Sequence, residues 1–346
     1  MLNQLKLESN SLVPKYMQII DAVIHNITMG ILKKGDKLPS INKLSEEYYL
    51  SRDTVEKAYS VLKKRKVIVS VQGKGSYVAK TKLTSKLNIL FLINKLSPYK
   101  MEVYNAFLKA LDIDCHVDLH SYHCDENLFL ELIDKYQEAY DYYAIMPHFR
   151  SDNLSYMNFT SSINDAINNI PKDKLILLDN NNHNIKGEFI GVYQDFEKDI
   201  FSALELAKPQ ISKYNKITFV FPKKVFYPYP KSILDGFLKF CHLNNMPFDV
   251  KEQLLKTDSI DKKTLYIIIE DEDLVVLINK TRDLGYKLGE DVGVISYNDT
   301  SLKQLFGITV ISTNFKRMGQ MAAKQISENK KEKISTPFSF INRESA

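Results

Sequence analysis

From residue 87 onward, short apolar runs typical of β-strands alternate with segments of helical periodicity. The apolar runs lie at 87–93, 113–121, 142–146, 175–178, 217–221, 265–269, 292–296 and 309–312. Helical patterns near 99–111 and 127–140 separate the first of them. This alternation is typical of a parallel sheet with helices on both faces. We therefore predict an α/β fold for residues 87–346, and a body of that length favours two lobes.

Residues 1–82 differ from this body in charge. They hold 15 of the 47 Lys and Arg residues but only 7 of the 42 Asp and Glu residues. The remaining residues carry 32 basic against 35 acidic side chains. Because lysine and arginine neutralise phosphates, a basic segment attached to a weakly acidic body is typical of a nucleic-acid-binding module.

The periodicity of the basic segment predicts three helices followed by a β-hairpin. The first helix starts near Pro14, a second of about three turns follows Ser40, and Ser51 caps the third. Two β-type runs then flank the turn at 72–76. Two short helices joined by a tight turn form a helix-turn-helix, and the hairpin would form its wing.

In a helix-turn-helix the second helix enters the major groove with its N-terminus first. Arg52 is the first candidate for a base contact, and the tip of the hairpin, with Lys74, would approach a phosphate through glycines that permit positive φ. The residues expected to contact DNA on these grounds are Ser51, Arg52, Asp53, Thr54, Lys57, Gly73, Lys74 and Gly75.

The motifs of this segment resemble the winged-helix domain of GntR-type transcription regulators. They are Lys15-Tyr16-x-Gln18-Ile19, Gly35-Asp36-x-Leu38-Pro39-Ser40, Ser51-Arg52-x-Thr54-Val55 and Gln72-Gly73-Lys74-Gly75-Ser76-Tyr77-Val78. The resemblance implies double-stranded operator DNA as a partner and a two-fold homodimer. It also adds Asn42 and Lys43, which stand where the family often has a DNA-contacting arginine. Asn42 and Glu56 depart from the family pattern, so the resemblance does not imply the operator sequence.

Polar residues follow several of the predicted strands of the body. Ligands of such sheets bind at the carboxyl ends of the strands, so these residues are candidates for a ligand site in a cleft between the lobes. A solvated loop or a helix cap is the alternative role for each of them. They are residues 94–99, Arg150, Asp195, Glu272, Asp273, Asn298 and Asp299.

Three stretches of the body, at 284–300, 311–314 and 341–345, resemble the LacI-type effector domain, which is similar to periplasmic sugar-binding proteins. The resemblance implies that a small sugar or its phosphate binds between the lobes. Its implied ligand contacts are Tyr99, Asp195, Glu272, Asp273 and Asn298, and placement after a strand adds Arg150. The family often has an arginine where this chain has Ile233, so Lys231 or Ser232 is the candidate substitute.

Together these patterns predict a winged helix-turn-helix at 1–79, a polar and basic linker at 80–86 and a two-lobed, periplasmic-binding-protein-like body at 87–346. We assign approximately 87–193 and 303–330 to the first lobe, and approximately 194–302 and 331–346 to the second.

Several other classes of protein lack support in the sequence. No apolar run reaches the ~18 residues that a membrane span needs. Three cysteines and a polar start favour neither a disulfide framework nor a signal peptide, so we expect a cytoplasmic protein. Zinc is disfavoured although Cys115, His116, His120, His123 and Cys124 lie close together, because neighbouring residues of a strand face opposite ways. We expect no metal or cofactor.

The leading hypothesis is a transcription regulator, and most specifically a repressor of carbohydrate-utilisation genes. Two alternatives remain open. One is a sugar-processing α/β enzyme fused to a DNA-binding domain, although the sequence has no nucleophile elbow or dinucleotide-binding glycine motif. The other is a regulator that senses a non-sugar metabolite such as a purine.

We predict different effects for substitutions at Arg52 and Lys74. Arg52→Ala is expected to lose about 1–3 kcal/mol of discrimination at one operator position, because it removes a contact to a base edge. Lys74→Ala should weaken binding about equally on all sequences and flatten the salt dependence, because it removes a phosphate contact. Equilibrium binding to a selected operator and to its single-base variants measures both effects. Unchanged operator affinity for Arg52→Ala contradicts the base-contact assignment.

Overall fold

A computed structural model describes residues 14–28, 31–64, 67–79, 87–111, 115–137, 139–180 and 184–346. The chain divides into two compact units, Met1–Lys86 and Leu87–Ala346. The predicted linker at 80–86 lies outside the described residues. No helix in the described part of the chain is long and apolar enough to cross a lipid bilayer.

The first unit contains three helices and a hairpin, as predicted. Its elements are α1 (Lys15–Thr28), α2 (Ile41–Glu47), α3 (Arg52–Lys64), β1 (Ile68–Val71) and β2 (Gly75–Val78). The strands β1 and β2 pair in antiparallel fashion, with Val71 opposite Gly75 at the turn. Helix α2 has two turns where the sequence predicted three, because Tyr48 ends it and Tyr49 has a φ of +51°.

Packing and side-chain caps fix the position of α3. Ile20 and Val23 of α1 share a buried core with Val55 and Leu62 of α3. Ser51 Oγ accepts a hydrogen bond from the Thr54 amide at 3.2 Å and so caps the helix. These interactions leave the opposite face of α3 exposed.

The second unit consists of alternating strands and helices. Its strands are β3 (Leu87–Ile93), β4 (Cys115–Ser121), β5 (Tyr142–Ile145), β6 (Phe149–Arg150), β7 (Tyr156–Met157), β8 (Leu175–Asp179), β9 (Ile190–Tyr193), β10 (Lys216–Val220), β11 (Phe248–Lys251), β12 (Thr264–Ile268), β13 (Val292–Tyr297), β14 (Thr309–Thr313), β15 (Lys333–Ser335) and β16 (Phe338–Ile341). Its helices are α4 (Pro98–Ala110), α5 (Glu126–Lys135), α6 (Ser161–Asn169), α7 (Phe196–Leu206), α8 (Lys208–Ile211), α9 (Lys231–Leu243), α10 (Asp271–Asp283), α11 (Ser301–Leu305) and α12 (Phe315–Ser327).

Two six-stranded sheets define the two lobes. The first has the strand order β15-β9-β8-β5-β3-β4, and the second has the order β11-β10-β12-β13-β14-β16. All neighbouring strands within them are parallel except β14 and β16. Helices α4 and α12 pack on one face of the first sheet, with α5 and α6 on the other. Helices α7 and α9 pack on one face of the second sheet, with α10 on the other.

The strand pairings correct the lobe limits expected from the sequence. The segment 303–313 does not belong to the first lobe, because β14 pairs with β13 in the second sheet. Strand β15 does not belong to the second lobe, because it pairs with β9 in the first sheet. The chain therefore crosses between the sheets near 194–195, at 314 and at 336–337.

Backbone hydrogen bonds tie these three crossover segments to one another. The Thr336 amide donates to the Tyr193 carbonyl at 2.7 Å, and the Asn314 amide donates to the Pro337 carbonyl at 2.9 Å. Within the first lobe, Gly319 lets α12 approach α4 closely, because a Cβ there would clash with the Val103 carbonyl oxygen. The two lobes are thus connected by three hydrogen-bonded segments of the chain, which together form a hinge.

Candidate functional site

The first unit presents one surface with the chemistry to contact a polyanion. Arg52, Asp53 and Lys57 are exposed on α3, and the Lys57 ammonium lies 4.0 Å from the centroid of the Tyr16 ring. Thr54 is half-buried, and its hydroxyl lies 2.7 Å from Ser51 Oγ. The other predicted DNA contacts are also at the surface, with Asn42 and Lys43 on α2 and with Gly73, Lys74 and Gly75 at the hairpin.

The hairpin turn has the backbone that its glycines predict. Gly73 and Gly75 have φ values of +73° and +109°, and the Lys74 amide donates to the Val71 carbonyl at 3.0 Å. This geometry leaves the Lys74 side chain exposed at the tip of the turn.

The second unit contains a cavity of about 80 Å³ where the carboxyl ends of strands from both sheets meet. Since one buried water needs at least roughly 10–15 Å³, the cavity has room for more than one water molecule. Tyr99 and Phe315 line one side, with ring centroids 5.3 Å apart. Asn298 lines the cavity from the second lobe. The cavity therefore combines aromatic faces with polar groups, as small-molecule sites do.

A buried carboxylate with three side-chain donors forms the polar part of this cavity. Asp179, the last residue of β8, accepts hydrogen bonds from Lys100 Nζ and Gln194 Nε2. His148 Nε2 donates to the same carboxylate at 2.7 Å. All four side chains are buried and line the cavity. Asp179 has a φ of +73°, an uncommon conformation for a residue other than glycine, and such strain concentrates at functional sites.

The charges of this cluster follow from its burial and its pairing. Burial alone would raise the pKa of Asp179, but the Lys100 ammonium and the His148 imidazole outweigh it and hold that pKa well below its usual range. Burial lowers the pKa of His148 against the opposing effect of Asp179. Burial and pairing thus favour an ionised Asp179 carboxylate beside a neutral His148 imidazole.

An aromatic loop of the second lobe, residues 221–230, reaches across to the first lobe. The Arg150 guanidinium stacks 4.0 Å from the centroid of the Phe226 ring. His123 Nδ1 lies 3.0 Å from the Tyr227 hydroxyl, and the Val225 amide donates to the Leu154 carbonyl at 3.2 Å. These contacts join the two lobes on one side of the cavity.

Two of the ligand contacts implied by the sequence, Tyr99 and Asn298, line the cavity. Arg150 contacts the aromatic loop and the His123 carbonyl instead, and it is not among the lining residues. Asp195 is exposed and caps α7 by accepting from the Lys198 amide, while its neighbour Gln194 turns into the cavity. Neighbouring residues of an extended segment point to opposite sides. The residue of this segment that faces the cavity is therefore Gln194, one position before the predicted Asp195.

Three other predicted residues also lie outside the cavity lining. Lys231 is exposed at the start of α9, and Ile233 itself lines the cavity. Glu272 and Asp273 lie in the first turn of α10, as their acidic run predicts for a helix N-terminus. Glu272 is exposed, whereas the buried Asp273 carboxylate accepts from the Leu254 amide at 2.7 Å and so fastens a loop rather than facing the cavity.

The residues predicted from the sequence do not include four polar residues that line the cavity: Lys100, His148, Asp179 and Gln194. A signal for Asp179 was present, because it directly follows the apolar run 175–178 at the end of a predicted strand. Lys100 lies within α4 and His148 follows a proline in a loop, so neither has a pattern that distinguishes it in the sequence.

Comparisons with known proteins agree with both units. Residues 15–78 match the family model of bacterial regulatory proteins, gntR family. The chain is 32% identical over 112 residues to the HTH-type transcriptional repressor YtrA of Bacillus subtilis (strain 168), covering 32% of this chain and 78% of YtrA. It is 33% identical over 120 residues to the mannosyl-D-glycerate transport/metabolism system repressor MngR of Escherichia coli (strain K12), covering 35% of this chain and 42% of MngR. The match to MngR thus spans less than half of that protein.

The structure is similar to that of a trehalose repressor from Escherichia coli, with a TM-score of 0.59 and 14% identity over 74% of this chain and 100% of that chain. The fold, the exposed surface of the first unit and the cavity of the second define a winged helix-turn-helix regulator with a two-lobed body of the LacI type. The chain belongs to the GntR family of bacterial regulatory proteins.

Asp273→Ala is predicted to destabilise the second lobe. It leaves the Leu254 amide without its acceptor in a buried position, which costs about 1–3 kcal/mol of the free energy of unfolding. Glu272→Ala is the matched control, since an exposed substitution one residue away should stay within about 0.5 kcal/mol. Urea unfolding of the full chain measures both. Equal stability of the two variants contradicts the role assigned to Asp273.

Proposed function

We propose that this chain is a one-component transcription regulator of the cytoplasm. Its winged helix binds operator DNA, and a small carbohydrate between the two lobes changes its affinity for that DNA. The observation that carries this proposal is the presence, in one polypeptide, of a GntR-type helix-turn-helix with an exposed arginine on its second helix and of a cavity at strand ends that is lined by buried polar side chains.

The cavity has the chemistry that a carbohydrate needs. Amide and carboxylate groups hold hydroxyls, and an aromatic ring can stack on the apolar face of a sugar. Asn298 supplies an amide group, and Tyr99 supplies an aromatic ring. The names of MngR and of the trehalose repressor refer to carbohydrate systems, which supports a role as repressor of carbohydrate-utilisation genes.

The contacts between the lobes provide a mechanism by which a bound ligand would change the affinity for DNA. A ligand shifts the equilibrium between two lobe angles only if it binds one of them better than the other. The aromatic loop joins the lobes beside the cavity, so a ligand that contacts this loop favours the closed arrangement. The change in lobe angle would reach the DNA-binding unit through residues 80–86.

Dimerisation is supported by an apolar surface on the second lobe. Helix α11 exposes Leu302, and Leu305 and the adjacent Phe306 are 77% and 66% exposed. Exposed apolar side chains grouped in this way mark interaction surfaces. In a two-fold dimer the operator would be an inverted repeat with its half-sites on one face of the duplex.

Leu305→Asp is expected to convert the dimer to a monomer, because it places a charge in the apolar contact. Sedimentation equilibrium of the wild type, Leu305→Asp and the control Leu243→Asp, which changes an exposed leucine at the end of α9, measures the mass of each. A wild type with the mass of one chain on operator DNA contradicts the dimer, and a dimeric Leu305→Asp contradicts this interface.

The test of the function itself is operator binding titrated with a ligand. A thermal-shift screen of monosaccharides, their phosphates and purines identifies the ligand, because binding to the folded state raises its melting temperature. We expect the ligand to change operator affinity without being consumed. Turnover of the ligand supports the fused-enzyme alternative, a purine as ligand contradicts carbohydrate sensing, and the absence of any operator response contradicts the proposal.

Asn298→Gly should weaken the response to this ligand at least about tenfold, equivalent to ~1.4 kcal/mol, with operator affinity of the free protein near wild type. Glycine is the chosen substitution because Asn298 has a φ of +63°, which glycine adopts without strain. Glu272→Ala is the control, since its side chain is exposed and lies outside the cavity lining. A wild-type response of Asn298→Gly shows that the ligand binds elsewhere.

A further inference from the structure

Lys95 differs from the other charged groups around the cavity in lacking a charged partner. The Asp179 carboxylate already accepts from Lys100, His148 and Gln194. Glu270 accepts from the Tyr229 hydroxyl at 2.8 Å. In the described part of the chain, no carboxylate lies within ion-pair distance of the Lys95 ammonium. It lies instead 5.0 Å and 5.5 Å from the ring centroids of Tyr229 and Tyr227.

The surroundings of Lys95 disfavour an uncompensated positive charge. Lys95 is half-buried, and burial lowers its pKa, as does the nearby charge on Lys100. The more distant carboxylates of Glu270 and Asp179 act in the opposite direction but do not reverse this effect. The two tyrosine rings compensate only partly, because cation–π contacts are worth about 0.5–2 kcal/mol. An anion bound beside Lys95 would supply the missing compensation.

A neighbouring side chain points to a second feature of the ligand. Asn94 is 4% exposed and lines the same cavity, and its Oδ1 is buried without a hydrogen-bond partner among the described residues. Its Nδ2 donates to Cys124 Sγ at 3.4 Å, which orients the amide so that Oδ1 remains the free atom. An amide oxygen only accepts hydrogen bonds, so its ligand partner has to be a donor such as a hydroxyl. A buried acceptor without a partner is costly, so a ligand donor that reaches Asn94 Oδ1 would be favoured.

We propose that the cavity binds an anionic carbohydrate: a single sugar unit whose carboxylate or phosphate pairs with Lys95 and one of whose hydroxyls donates to Asn94 Oδ1. This inference rests on the proposed function and narrows its ligand class. A cavity of about 80 Å³ favours a small ligand over an oligosaccharide. Because Lys95 is on the first lobe and Tyr227 and Tyr229 are on the second, the anionic group would sit where the aromatic loop meets the first lobe.

The test uses matched sets of ligands on the full chain. Glucose, galactose and fructose are compared with glucuronate, galacturonate, glucose 6-phosphate, galactose 6-phosphate and fructose 6-phosphate by isothermal titration calorimetry. We expect at least one anionic member to bind at least tenfold more tightly than its neutral parent. Whether a uronate or a phosphate is preferred distinguishes the two sources of negative charge.

Two variants and a control assign this preference to Lys95. Lys95→Met should reduce the ratio of anionic to neutral affinity to near one, whereas Lys95→Arg should retain most of it because the charge remains. Lys224→Met is the control, since Lys224 is an exposed lysine of the aromatic loop outside the cavity lining. Thermal melting in the absence of ligand checks that each variant is folded, and Lys95→Arg keeps the test valid if Lys95→Met does not fold.

The outcomes separate this inference from the function on which it rests. Neutral and anionic sugars that bind equally well, with a ratio that Lys95→Met does not change, overturn the anionic ligand but leave a carbohydrate-sensing regulator. A preference for anions that persists in Lys95→Met overturns the role of Lys95. Absence of both binding and operator response with every sugar overturns the proposed function together with the inference.

Discussion

The buried carboxylate of Asp179 forms the interactions on which the two-lobed body most depends. Its three side-chain donors come from α4, from the segment after β5 and from the first crossover between the lobes. Moving a carboxylate and an ammonium out of water costs several kcal/mol for each ion, and only close pairing with further hydrogen bonds offsets that cost. The four side chains therefore hold one another in place, and they fix the strand ends that surround the cavity.

The same cluster connects the cavity to the hinge. Gln194 donates to Asp179 and accepts from the Thr313 hydroxyl, which belongs to the last residue before the second crossover. Backbone hydrogen bonds tie the third crossover to both of the others. Because the three segments are linked, a change in lobe angle has to alter the surroundings of Gln194. A ligand with different contacts to this cluster in the open and closed arrangements would thus bias the hinge directly.

The sequence predicted the main architecture because the relevant signals are local. Helical periodicity, the cap at Ser51 and the glycines of the hairpin specify the first unit within about 65 residues, and the apolar runs locate the central strands of both sheets. The lobe limits were wrong because β15 has three residues and no long apolar run, so its sheet is decided by tertiary pairing. The Asp179 cluster was missed for the same reason, since its partners are 79, 31 and 15 residues away along the chain.

A further physical cause accounts for the predicted residues that do not line the cavity. A resemblance transfers a position in the chain, but which way a side chain points depends on the local backbone, and Asp195, Glu272 and Asp273 each carry the expected chemistry on a side away from the cavity. Conversely, the family's arginine position holds Ile233, which does line the cavity and brings no charge to it. On the opposite lobe, Lys95 forms no ion pair with any described carboxylate and lies against two tyrosines of the aromatic loop. If a ligand's anionic group binds at this junction, one contact would serve both recognition of the ligand's charge and closure of the lobes.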